Sequence, residues 1–154
     1  MIYYSRKLKL PYDAVLNKVI SNLEGQGFGL INAIDLGEMF RKNLQVTFRN
    51  YKILAVCNPT FAYRAVSLES HAGAMIQCNV VVQEHENGEV EVSAINPLES
   101  MAQEHKTTEL VHLSMEIGIR LRASIDYIQR EFPSQEDGTI YLHAEQNFNC
   151  FIPG

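Results

Sequence analysis

The stretch AMIQCNVVVQEHENGEVEVSAI, residues 74–95, decides the fold class. Its two parts, 74–84 and 89–95, are rich in β-branched residues, and apolar and polar side chains alternate in the second part as in a half-buried strand. The Glu-Asn-Gly sequence at 86–88 is a strong hairpin signal, because both central residues of a type I′ turn need a positive φ. The stretch therefore predicts two adjacent antiparallel strands.

The segments before this hairpin are predicted from their periodicity. Residues 2–10 alternate as a strand does, and residues 12–25 have apolar positions at helical spacing. Residues 28–35 are predicted as a second strand. Residues 51–57, YKILAVC, are the best candidate for a central strand, because they are β-branched, aromatic and apolar.

Helices are predicted on both sides of the hairpin. Asn58 and Pro59 are typical of a helix start, and this helix should end near Ser70. After Asn96-Pro97 the sequence predicts one long helix, whose apolar residues recur every three or four positions from Leu110 to Phe132. Shorter elements are predicted for residues 36–43 (one or two helical turns), 44–48 (a strand or an extended segment) and 139–143 (a strand).

This order of elements favours an α+β fold: a two-layer sandwich in which a mainly antiparallel sheet carries its helices on one face. A chain of 154 residues suits one domain. We expect residues 1–132 to form a single α+β domain. Residues 133–154 are expected to be a C-terminal tail that packs on this domain or on a partner subunit.

Composition and charge argue against several classes of protein. The formal net charge of −5 makes a nucleic-acid binder or a membrane-surface binder unexpected. The longest apolar run, 53–57, is far shorter than the ~20 residues that cross a membrane. The first nine residues carry no secretory signal, so a cytoplasmic location with reduced Cys57, Cys78 and Cys150 is expected.

Two cysteines, Cys57 and Cys78, are the main candidates for a chemically reactive site. Cys57 lies just before the helix start at Asn58, where backbone N–H groups and the helix dipole can lower a thiol pKa; the alternative is a small buried residue at a strand end. Cys78 shares its parity with Val80 and Val82, which favours a core position. If strands 51–57 and 74–84 pair, the two sulfurs could form a redox pair or half of a soft-metal site.

Asp35 and Lys52 are candidate ligand-binding residues at strand ends near a pocket mouth, although Asp35 could equally cap the segment that follows it.

Glycines 25, 27 and 29 are not a dinucleotide loop, because they close a helix and open a strand, the reverse of the required order. The sequence therefore predicts no catalytic residues and no metal ligands, and it leaves any cofactor unknown.

Several motifs together resemble the domain of unknown function family 302 over about residues 1–130. They are Gly27-Phe28-Gly29, Asp35, YKIL at 51–54, Cys57-Asn58-Pro59 with Ala62 and Tyr63, Cys78 before 80–82, the Asn-Gly turn and Asn96-Pro97. The resemblance implies a small two-layer α+β domain that often self-associates and has no agreed activity. The chain departs from the family pattern at Gln77, where a proline is usual, and at Asn96, where an aspartate is usual. If the family site uses that aspartate as a charge or metal ligand, part of the site is lost here.

These observations predict a non-enzymatic, cytoplasmic homodimer that binds a small molecule or a partner protein through residues among Cys57, Asn58, Cys78, Asp35 and Lys52. The alternative is a thiol-based redox or soft-metal-binding protein centred on Cys57 and Cys78. A third possibility is a purely structural domain whose tail docks on a neighbour.

Overall fold

The structure is a computed structural model and describes residues 3–105 and 107–129. Residues 130–154 lie outside the described part, and so do three expectations for them: the helix end at Phe132, the strand 139–143 and the tail 133–154. The described elements follow one another as β1 (Tyr4–Leu8), α1 (Tyr12–Gly25), β2 (Gly29–Asp35), α2 (Leu36–Leu44), β3 (Tyr51–Cys57), α3 (Pro59–Leu68), a 3-10 helix (Ser70–Met75), β4 (Cys78–Glu84), β5 (Val90–Ile95), α4 (Pro97–His105) and α5 (Thr108–Asp126).

The five strands form one antiparallel sheet in the order β1-β5-β4-β3-β2. The predicted β4–β5 hairpin is confirmed, and β3 is an interior strand between β4 and β2. The sheet and its helices confirm the α+β class. Helices in the described part of the chain are all too short or too polar to cross a membrane.

The core lies between one face of the sheet and helices α1 and α5. Alternate strand residues point to this face, because successive side chains of a strand alternate between faces. The buried cluster contains Tyr4, Leu8, Leu54, Val56, Cys78, Val80, Val82, Val90 and Val92 from the sheet, and Val15, Val19, Leu23, Leu113, Leu121 and Ile125 from the two helices. Burial of each large side chain contributes about 1.5–3 kcal/mol, so this cluster holds the two layers together.

Two details of the predicted hairpin are wrong. Strand β4 begins at Cys78 instead of residue 74, because residues 70–75 form the 3-10 helix. The Glu69 carboxylate caps this helix by accepting a hydrogen bond from the His71 N–H at 3.0 Å. In the turn, Gly88 alone has a positive φ, of 83°, and its N–H donates to the His85 carbonyl at 2.9 Å. This is a loop with one left-handed glycine, not a type I′ turn.

The single long helix predicted after Pro97 is also wrong, because α4 and α5 are separate helices. Helix α5 has its own N-cap: the Thr107 hydroxyl accepts from the Leu110 N–H at 3.4 Å. A capping side chain satisfies N–H groups that have no partner within the helix, so it favours a new helix start over continuation.

Residues 36–50 form an arm, which we define as α2 together with the segment that returns to β3. Asp35 caps α2, and Gln45 ends it in the left-handed conformation at φ 55°. The segment 45–50 is irregular chain outside the sheet, so the strand alternative for 44–48 is wrong. Phe48 anchors the arm through an edge contact with Phe40, at 5.2 Å between ring centroids, and through the Arg49 guanidinium stacked on its ring.

Candidate functional site

Cys57 and Asn58 lie at the junction of β3 and α3, as the sequence predicts. The Asn58 side chain is buried, and its Oδ1 accepts from the N–H groups of Thr60 at 3.1 Å and Phe61 at 3.3 Å. Pro59 occupies the first turn of α3, where its missing N–H costs nothing. Asn58 is therefore a helix cap first, and its amide Nδ2 lies near the backbone of Gly27.

Cys78 begins β4 and is directly opposite Val56 of β3, so the predicted pairing of these two strands is confirmed. Cys57 is the next residue after Val56, and alternation along the strand turns its side chain to the opposite face of the sheet. Cys78 is buried in the core, while Cys57 is half-buried. The two thiols are close enough to interact electrostatically, but they do not share a face.

The pKa values of both thiols argue against a reactive pair. Burial raises the pKa of Cys57 above its ordinary value. Burial, with a smaller electrostatic contribution from Cys57, raises the pKa of Cys78 to about 12. A nucleophilic or metal-binding cysteine needs the opposite shift, because the thiolate is the reactive form. Within residues 3–105 and 107–129, no three His, Cys, Asp or Glu side chains are grouped so that they could hold a metal ion.

Asp35 and Lys52 are cross-strand partners in β2 and β3. The Asp35 carboxylate accepts a hydrogen bond from the Glu38 N–H at 2.9 Å. Asp35 is therefore the N-cap of α2, as one of the two interpretations of this residue predicts. Lys52 and Cys57 lie five residues apart on β3, which corresponds to roughly 17 Å along a strand. The five predicted site residues are therefore divided between opposite ends of the sheet.

A small cavity lies beside Asn58 and Cys78. It is also lined by apolar side chains, among them Phe28, Phe61 and Ile117, and its volume is about 10 Å³. This volume is about that needed for one water molecule. An organic ligand would fit here only after the surrounding helices moved apart.

Asn96 has a structural role that the sequence did not indicate. The side chain is 4% exposed, and its Nδ2 donates to the Ser114 carbonyl of α5 at 2.8 Å and to the Ser114 hydroxyl at 3.3 Å. Its Oδ1 is buried without a hydrogen-bond partner in the described part of the chain. The amide thus ties the end of β5 to the middle of α5. An ionised aspartate could not donate these bonds.

Among the described residues, β2 and the arm carry six exposed large apolar side chains, and α3 carries three more, Tyr63, Val66 and Leu68. Helix α2 carries Leu36, Met39, Phe40 and Leu44 at helical spacing, yet it has no buried residue. Leu44 is 65% exposed and Met39 is 42% exposed. Along β2, Ile31 is 59% exposed, and Ile34 is the one residue of the strand that is half-buried. This surface could not be predicted from the sequence, because periodicity shows which side of an element is apolar but not which residues cover that side.

Comparisons with known proteins agree with the fold. A family model described as "Domain of unknown function DUF302" matches residues 4–128. A solved structure, the crystal structure of uncharacterized conserved protein DUF302 from Bacillus stearothermophilus, is similar with a TM-score of 0.74 and 20% sequence identity; the match covers 84% of this chain and 99% of that chain. At this identity the likeness concerns the fold alone. A search of curated proteins found no significant match.

Proposed function

The chain belongs to the DUF302 family, and we propose that it is a non-enzymatic association domain that forms a homodimer through β2 and the arm. The observation that carries this proposal is helix α2, which is amphipathic and has no buried residue. Elsewhere in the described chain, the apolar sides of α1 and α5 are buried in the core. A second subunit would give the apolar side of α2 the same environment.

The stability of α2 supports a partner. Isolated helices shorter than about 12–15 residues are marginal in water, and α2 has nine residues. Its support within this chain is the Asp35 cap, the exposed pair between Lys42 and Glu38 at 2.8 Å, and the edge contact of Phe40 with Phe48. Such exposed pairs contribute about 0.3–0.5 kcal/mol. Met39 is 42% exposed and Leu44 is 65% exposed, so their burial against a partner would add about 0.6–2 kcal/mol for each side chain.

The position of β2 at the edge of the sheet also supports association. An edge strand is open to contact with another chain, and charged residues usually protect it. In β2 the one charged residue is Asp35, at the end of the strand, whereas the other edge strand, β1, carries Arg6 and Lys7 and packs on α5. A two-fold dimer uses the same patch of both subunits, so one exposed surface is sufficient.

A cytoplasmic location is part of the proposal. Cys57 and Cys78 are free thiols in the structure. A reducing compartment keeps cysteines in this state. Binding of a small molecule in the cavity beside Asn58 is not part of the proposal, since this cavity holds about one water.

The test is the mass of the protein in solution, measured by sedimentation equilibrium over a wide range of concentrations. We expect the wild-type chain to sediment as a dimer, and Leu44→Asp to weaken the dimer at least about tenfold, which corresponds to about 1.4 kcal/mol. Ile119→Asp on α5 is the matched control, because Ile119 is 58% exposed but lies on another surface. A wild-type protein that remains monomeric at every concentration would refute the proposal. Equal effects of the two substitutions would also refute it.

A further inference from the structure

The arm is basic, while the chain as a whole is acidic. Residues 36–50 contain Arg41, Lys42 and Arg49 against the single acidic Glu38, a net charge of +2 in a chain of net charge −5. Both Arg41 and Lys42 are mostly exposed, and both lie beside the same Glu38 carboxylate, at 4.0 and 2.8 Å. One carboxylate therefore serves two cations, and the exposed side of α2 keeps a surplus positive charge.

The complementary acidic surface is the β4–β5 hairpin. Residues 65–105 contain seven glutamates and no lysine or arginine, and four of these glutamates lie at 84–91 in the hairpin. Glu84 accepts from the Asn50 amide at 2.8 Å, and Glu89 accepts from the Asn87 amide at 2.9 Å. These donors are neutral, so the negative charge remains. Glu86 is exposed at the turn.

The arm and the hairpin project from the same end of the sheet. The strand register places Asp35 beside Lys52, Tyr51 beside Gln83, and Glu84 beside Val90, so β2, β3, β4 and β5 all reach this end. Within one chain the two features meet at the base of the arm, where Arg49 donates to Gln83 at 2.8 Å. A two-fold axis perpendicular to the sheet, beyond these strand ends, would bring each arm opposite the hairpin of the other copy.

We propose that in the homodimer Arg41 and Lys42 of one subunit dock on Glu86 and Glu89 of a second copy of this chain. The inference rests on the proposed function and adds the surface that receives the arm. The apolar side of α2 supplies burial, and the charges set the orientation and register of the two subunits, because complementary charges favour one arrangement and like charges oppose the others. The symmetry makes the contact occur twice in each dimer.

The test is a charge exchange between two variants. The arm variant carries Arg41→Glu and Lys42→Glu, and the hairpin variant carries Glu86→Lys and Glu89→Lys. Each variant alone places like charges at both contacts, so we expect its homodimer to weaken at least about tenfold. In an equal mixture, both contacts of a heterodimer regain opposite charges. Native mass spectrometry of two chains with tags of different mass should then show mainly the heterodimer, with an affinity within about tenfold of wild type.

A matched control reverses two acidic residues away from the hairpin, Glu104→Lys and Glu109→Lys, with the same change in net charge as the hairpin variant. We expect this control to dimerise like wild type. If wild type dimerises and Leu44→Asp weakens the dimer, but both charge variants behave like the control, the docking inference is wrong while the proposed function stands. If the charge variants are folded monomers and their mixture forms no heterodimer, the inference is also wrong. A monomeric wild-type protein would refute the proposed function itself.

Discussion

Replacing Asn96 with aspartate tests the tie between β5 and α5. The substitution preserves the size of the side chain but removes the Nδ2 donor, which lies 2.8 Å from the Ser114 carbonyl. The result therefore shows whether asparagine at this position is a structural requirement of this chain.

The expected loss of stability at neutral pH is large. A lost buried hydrogen bond costs about 0.5–1.5 kcal/mol. A buried charge without a partner costs about 3–5 kcal/mol, and here the new carboxylate would face the carbonyl oxygen of Ser114. We therefore expect the free energy of unfolding to fall by about 4 kcal/mol, and the melting temperature to fall by roughly 8–16 °C, for a chain of this size.

The loss should depend on pH with a definite sign. Burial and the facing carbonyl raise the pKa of the new carboxyl group in the folded state above its unfolded value of about 3.9. Above that value the unfolded state binds fewer protons than the folded state, so the stability of the variant falls as pH rises until the folded pKa is passed. At low pH the protonated group can donate one hydrogen bond to Ser114, and the deficit should shrink to about 1 kcal/mol.

The assay is chemical denaturation of wild type and N96D at a series of pH values, followed by circular dichroism. Ser114→Ala is the control, because it removes the 3.3 Å hydroxyl contact and leaves the carbonyl bond and the charge unchanged. We expect this control to lose less than about 1.5 kcal/mol with no pH dependence of its own. A variant N96D whose stability relative to wild type is the same from acid to neutral pH would refute the burial and bonding argument.

Two further predictions concern the β3–α3 junction. Asn58→Ala should destabilise the protein by about 1–2 kcal/mol in urea denaturation, whereas Asn58→Asp keeps the capping oxygen and should lose much less; equal losses would contradict a capping role. Alkylation at neutral pH, followed by peptide mass spectrometry, should modify Cys57 more slowly than an unstructured cysteine peptide, because burial raises the pKa of Cys57. Cys78 in the native protein should react more slowly still, because its pKa is raised further. Faster reaction of Cys57 than of the peptide would restore the thiol hypothesis.

The parts of the fold that the sequence predicts well depend on local signals. Strand β3 has the predicted bounds, 51–57, because its β-branched and aromatic residues sit between polar neighbours. The start of α3 is confirmed at Asn58-Pro59, since a cap is formed by residues two or three positions apart. The break between α4 and α5 has such a signal too, in the Thr107 cap, but the predicted long helix is based on apolar spacing that begins only at Leu110 and so does not bear on the break.

The candidate site could not be assembled from the sequence, because it depends on register and on distant contacts. Whether Cys57 and Cys78 share a face is decided by one residue of register in the β3–β4 pairing. The bond from Asn96 to Ser114 joins residues 18 positions apart on different elements. No periodicity in either segment indicates it.

Helix α2 and helix α5 present the same kind of pattern with opposite outcomes. Both have apolar residues at intervals of three or four, but α5 buries eight residues against the sheet and its neighbours, while α2 buries none. The spacing of apolar residues predicts that a helix has one apolar side. It does not predict which residues, if any, bury that side. Charge adds information that apolar spacing lacks, because the exposed side of α2 is basic and the β4–β5 hairpin is acidic. Within one chain the base of the arm contacts the base of the hairpin, through Arg49 with Gln83 and Asn50 with Glu84. In the proposed dimer the hairpin of a second copy would contact Arg41 and Lys42 of the arm. The open apolar side of α2 is thus the feature of this chain whose covering the concentration-dependent mass measurement is designed to detect.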